Sequence, residues 1–135
     1  MKLRYLVVAL LLGAVYATAP LGTAAAAAPV VTISPKHVNC PAQPVGAGPV
    51  DCEQIAIRTD GPQIQLGTNA VDGDGADFGN LGACNGIFVS PGQSCAINVT
   101  FHPTATGHRS ATLRVVRTGT GDTFLGKVGI AGKGT

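Results

Sequence analysis

Between Ser90 and Val116 the apolar residues fall on every second position. Cys95, Ile97, Val99 and Phe101 alternate with Ala96, Asn98 and Thr100. Successive side chains of an extended chain point to opposite faces, so the first four share one face and the other three share its reverse. Pro91-Gly92 supplies a turn ahead of this run. His102-Pro103 closes it, because proline has no N–H to give to a ladder. A second alternating run follows from Ser110 to Val116, with Leu113 and Val115 set against Thr112 and Arg114. Two half-buried strands separated by a turn read as a β-sandwich core in miniature.

The same period recurs on both sides. Val30–Ile33 is a short β-branched run ended by Ser34-Pro35, which suits an edge strand, and Lys36 to Asn39 continues it after a kink. Glu53–Thr59 sets Ile55 and Ile57 against Gln54, Ala56 and Arg58, and the turn Asp60-Gly61-Pro62 closes it. Gln63–Leu66 alternates again. The chain after Gly67, reaching Val71–Asn80 (VDGDGADFGN), reads as its least structured part. Gly86–Val89 is a short apolar piece, and the last run carries Phe124, Val128 and Ile130 among glycines. No window from residue 28 onward has a helical period. The expectation is an all-β, immunoglobulin-like antiparallel β-sandwich of about seven strands.

The first residues read differently. Met1-Lys2-Leu3-Arg4 is a basic cap, Leu6 to Val15 an apolar run, and Ala24 to Ala28 a stretch of small residues suited to cleavage. This is the layout of a secretory signal peptide over residues 1–27, leaving 28–135 as the domain. The competing reading is a retained anchor, since Leu3–Ala28 is long enough to span a bilayer. Pro20 and Gly22 inside it favour cleavage, and with it no stable membrane insertion. Expected localisation is secreted, either extracellular or in the cell envelope.

Cleavage changes the charge. The chain has 9 Lys+Arg and 7 Asp+Glu, a net +2, but Lys2 and Arg4 lie in the leader, so 7 of each remain. A neutral domain without a basic run predicts neither nucleic acid nor anionic lipid as partner. The composition also limits the core: there is no tryptophan and only four phenylalanines, so little aromatic area is available for burial. Cys40, Cys52, Cys84 and Cys95 can offset that deficit. An even count in a small exported domain reads as a disulfide framework with three possible connectivities. Cys40–Cys52 and Cys84–Cys95 are favoured, because each pair flanks a short loop of turn residues. The absence of C-x-x-C spacing argues against zinc or redox chemistry.

Other constellations are weaker. Asp72, Asp74 and Asp77 in VDGDGAD invite a calcium reading, but Ala76 stands where an EF-hand needs a ligand and no glutamate follows at the right distance. A polar loop is the plainer account. His37, His102 and His108 would form a metal site only if the fold gathered them. Ser90, Ser94 and Ser110 lack a G-x-S-x-G elbow, and Glu53 is the sole glutamate, so no catalytic residue is assigned and no cofactor is expected. Asn98-Val99-Thr100 is a glycosylation tripeptide of a kind that arises by chance.

The second half resembles a known family. Cys84, Ser90-Pro91-Gly92-Gln93-Ser94-Cys95, Val99-Thr100-Phe101-His102-Pro103-Thr104, Gly107–Leu113 and the closing Val128–Gly134 are similar to the ASPM–SPD-2–Hydin (ASH) type of immunoglobulin-like domain. Bacterial relatives of that type are known as choice-of-anchor D domains. Asp77-Phe78 matches the acidic-aromatic pair of such domains. The first half departs from the pattern: Asn39-Cys40-Pro41 and Thr59-Asp60-Gly61 stand where relatives carry Phe-Gly and Asn-Thr-Gly turns. The resemblance implies an Ig-like sandwich used as a structural or protein-binding module, with no common catalytic set. Fold alone does not transfer function. The leading expectation is therefore a secreted or envelope module that binds protein, with Val30–Ile33 and the 40–52 and 71–80 loops as candidate contacts. The alternatives are a self-associating structural surface protein and a cation-dependent binder using residues 72–77.

Overall fold

The computed structural model describes residues 30–119 and 121–135, together with Gly22. The expected signal peptide lies outside the described residues. Nine strands form two facing sheets: β1 Val31–Ser34, β2 His37–Asn39, β3 Val50–Thr59, β4 Ile64–Gly73, β5 Phe78–Gly79, β6 Phe88–Val89, β7 Ser94–Phe101, β8 Gly107–Thr118 and β9 Thr123–Gly134. One sheet has the order β1-β3-β7-β5 and the other β2-β9-β8-β4-β6. Seven of the strands have three residues or more, and β5 and β6 are two-residue pairings at the sheet margins.

Alternation builds the core from both sides. From the first sheet Ile33, Ile55, Ile57, Ile97, Val99 and Phe101 point inward, each at most 3% exposed. The second contributes Val38, Ile64, Leu66, Leu113, Val115, Val128 and Ile130, each at most 2% exposed. Phe78 stacks on Phe101 with ring centroids 5.1 Å apart, so two of the four phenylalanines meet at one end of the sandwich. Thr59 and Thr68 are buried with their hydroxyls bonded, Thr68 donating to the Leu81 carbonyl at 2.6 Å. Among the described residues no buried side-chain polar atom lacks a partner.

Three elements differ from the sequence reading. Lys36–Asn39 does not prolong β1. After the cis Ser34-Pro35 bond the chain crosses to the other sheet, where β2 runs parallel to β9. The second sheet is thus mixed, whereas the first is antiparallel throughout. β3 begins at Val50, with a register shift between Asp51 and Gln54. β4 continues through Gly73, against the expectation of an unstructured region after Gly67. Its second half reads as loop in sequence because Asn69, Ala70, Asp72 and Gly73 are exposed, yet β8 pairs with it from Gln65 to Gly73, with one register shift after Val71. Backbone pairing with a neighbour outweighed low strand propensity there.

Both disulfides join neighbouring elements. Cys40–Cys52 ties the end of β2 to β3, and Cys84–Cys95 ties the turn before β6 to β7. No cysteine is free, and no helix of the described residues is long and apolar enough to cross a membrane.

Candidate functional site

The 40–52 loop is less free than its prolines and glycines suggest. The Cys40 N–H donates to the Ala131 carbonyl at 2.8 Å, and Gln43 exchanges bonds of 3.0 Å with Lys133 and Thr135. The Val45 N–H adds another bond of 3.0 Å to Thr135. The loop therefore covers the margin of β9 beyond β2. Its backbone is thus anchored although most of its side chains, Val45 among them, face solvent.

The 71–80 segment is likewise built rather than loose. Asp72 and Gly73 have positive φ at the register shift of β4, a conformation that aspartate tolerates better than most side chains. A single 3-10 turn, Gly75–Asp77, then leads into β5. Asp77 is 2% exposed. Its carboxylate accepts bonds from the Thr104 hydroxyl at 2.8 Å and from Arg109 Nε at 2.5 Å. Arg109 also reaches the Asp74 carboxylate at 2.9 Å, and Asp74 accepts the Ser110 N–H at 3.0 Å. Burial pushes the Asp77 carboxyl upward, but the hydrogen bonds from Arg109 and Thr104 outweigh it and hold the group below the usual carboxylate range. Asp77 in turn raises Arg109.

This arrangement bears on the calcium reading. Asp74 and Asp77 already share a guanidinium, while Asp72 is exposed, and the described residues hold no group of three or more His, Cys, Asp or Glu side chains placed for a metal. The histidines stay apart. His37 is in register with Gly129 and His108 with Lys133, four positions along β9 or roughly 13 Å. His102 lies at the other end of the 102–108 turn, exposed. Ser90 accepts a bond from Gln63, and Asn98 accepts one from Gln54 at 2.7 Å on an exposed face. Arg109 as the partner of Asp77 was not readable in sequence, since 32 residues separate them and only the turn before β8 brings them together.

The sequence also concealed a patch on the outer face of the second sheet. Arg114 and Lys127 stand directly opposite each other in the β8–β9 ladder, both exposed. Arg114 lies over the ring of Phe124, 5.4 Å from its centroid, and Phe124 is itself 54% exposed. Beside them is a trough of about 490 Å³ lined by Lys36, His37, Thr112, Phe124, Lys127 and glycines. It joins a shallower hollow of about 270 Å³ whose walls include Asn39, Asp72 and Ser110. Small residues make the floor, with Gly129 opposite Thr112 and Ala131 opposite Ser110.

Comparison with solved structures places this architecture. An ASH/PapD-like domain of human CEP192 (PapD-like domain 7) matches with a TM-score of 0.61 at 14% identity, over 78% of this chain and 84% of that one. The chain has an ASH- and PapD-like immunoglobulin fold. The Vibrio cholerae VesB protease matches with a TM-score of 0.51 at 13% identity, over 76% of this chain but only 31% of the protease. WR4, a C. elegans MSP family member, aligns over 78% of this chain at 9% identity with a TM-score of 0.45. No family model and no curated protein matches the sequence. At these identities the likeness is one of fold.

Proposed function

We propose that this chain is a non-catalytic, secreted or cell-envelope immunoglobulin-like module that binds protein. The observation that carries the reading is the fold likeness to an ASH/PapD-like domain over 78% of the chain. Support comes from an edge: β1 pairs with β3 on one side and with no described strand on the other, so its outer backbone groups are available to a partner. The two disulfides suit an oxidising compartment, in keeping with export. Within the same proposal the Ser90–Cys95 and Val99–Thr104 motifs are read as those of the bacterial choice-of-anchor D type.

The test is cross-linking of the tagged protein in its own host, followed by mass spectrometry of the captured peptides. One reproducible protein partner supports the reading. Capture of its own copies alone replaces it with a self-associating structural role. A calcium titration separates the cation-dependent alternative, because a ligand of the native state raises the melting temperature. An unchanged Tm eliminates that alternative.

A further inference from the structure

We propose that the outer face of the second sheet, around Arg114, Lys127, Lys36 and Phe124, is the docking surface, and that its occupant is an extended acidic segment of a partner protein. This rests on the binding-module reading above and adds to it the place and the chemistry of the partner.

The argument begins with an uncompensated charge. Cross-strand residues directly opposite each other have Cβ atoms about 5 Å apart, and like charges in that relation destabilise a sheet. Arg114 and Lys127 stand in that relation, and Lys36 enters the same trough. Among the described residues the ion pairs are made by Arg58 and Arg109 alone, so none of these three cations has a carboxylate partner. A sheet surface under no other demand would place an acid at one of these positions. An incoming carboxylate supplies the missing charge.

The second observation concerns the aromatic. Phe124 is exposed, and Arg114 stacks on it, a pairing of the two residue types enriched at protein interfaces. It gives the site an apolar platform beside its cations. The third is the ladder. β2 pairs with β9 only from Gly129 to Ala131, so on the side away from β8 no described strand pairs with β9 from Thr123 to Val128. The Gly129 N–H points to β2, donating to the Lys36 carbonyl at 2.9 Å. Lys127, two residues earlier, turns its own N–H and C=O to the same side. An extended acidic peptide can meet these backbone groups with its own N–H and C=O ladder while its side chains meet the cations, which a free anion cannot. Three cations are also few for a nucleic acid, whose affinity grows with the number of phosphates neutralised.

The experiment is selection of a random peptide library displayed on phage against the exported chain, followed by anisotropy titration of the enriched peptides with wild type, Lys127→Glu and Arg114→Glu. The expected peptides are rich in Asp and Glu with at least one apolar residue. Each substitution weakens them by about tenfold or more, while Lys127→Glu gains an ion pair with Arg114 and raises Tm by about 1–4 °C. That rise shows the variant folded, so lost binding is not unfolding. Enriched peptides without acidic bias, or acidic ones whose affinity survives both substitutions, overturn the surface while leaving a binding module elsewhere on the domain. Enrichment of no peptide also overturns it, and the cross-linking result then decides separately whether the chain binds protein at all. A concentration-dependent dimer abolished by Lys127→Glu overturns the partner as stated, giving the face to a second copy.

Discussion

At Asp77 three demands meet in one side chain. It is almost fully buried, it carries a charge, and it begins the short β5 pairing through its neighbour Phe78. A buried carboxylate persists only where bonds replace its water, and Thr104 in the turn between β7 and β8 and Arg109 at the start of β8 do so. Asp77→Asn is expected to lower Tm by about 5–15 °C, since it discards charge-assisted bonds while keeping the shape. The pH dependence has a definite sign. Because the folded-state carboxyl is held below its ordinary value, its contribution is complete above that ordinary value, near pH 4, and fades as pH falls through the folded-state value. Urea titrations from about pH 5 to pH 2 are expected to show a shallower loss of stability in Asp77→Asn than in wild type. The acidic-aromatic pair was visible as a motif. Its partner was not, because nothing local in Arg109 distinguishes it from Arg114 or Arg117, and only the fold sorts them.

β9 shows how glycine can decide an element. Its inward positions Val128 and Ile130 fill the core, whereas Gly132 leaves the space in which the Phe101 ring lies. A Cβ at Gly132 would stand 2.7 Å from two ring atoms, so Gly132→Ala is expected to cost about 1–3 kcal/mol in chemical denaturation. β7 and β8, consecutive in sequence but placed in opposite sheets, were legible because their apolar residues keep a strict period of two on either side of a turn. β4 was half legible: Ile64 and Leu66 announced it, but its outer part lies at the sheet margin, where polar residues are permitted and the period vanishes. β2 was misassigned for a different reason, since three residues carry no information about which sheet they will join. The staples belong to this scale as well. Cys84→Ala with Cys95→Ala is expected to cost about 3 kcal/mol, the loop-closure value for a separation of 11 residues, measurable as a lower denaturation midpoint.

Over the whole molecule the balance of 7 acids and 7 bases from residue 28 onward conceals an uneven distribution. Arg58 is paired with Asp60 on the first sheet and Arg109 with Asp74 and Asp77 at the end of the sandwich, leaving the outer face of the second sheet with Arg114 and Lys127 unpaired among the described residues. Composition reports only the sum, which is why the patch was invisible in sequence. Affinity for any acidic partner at this face is expected to fall as salt rises, because the cations are exposed, and titrations at low and high ionic strength check it.

The strand that comes last in the chain is not last in space. β9 lies between β2 and β8, and the 40–45 segment is bonded to its end. A chain that appears N-terminus first can therefore pair β3 with β7, but β2 and the segment after it have nothing to rest on until residues near 130 have followed. Folding would be a late, all-at-once event, carried by contacts far apart in sequence and slow for that reason. Until it finishes, Cys40 and Cys52 are not yet held together by the strands that they join in the folded domain.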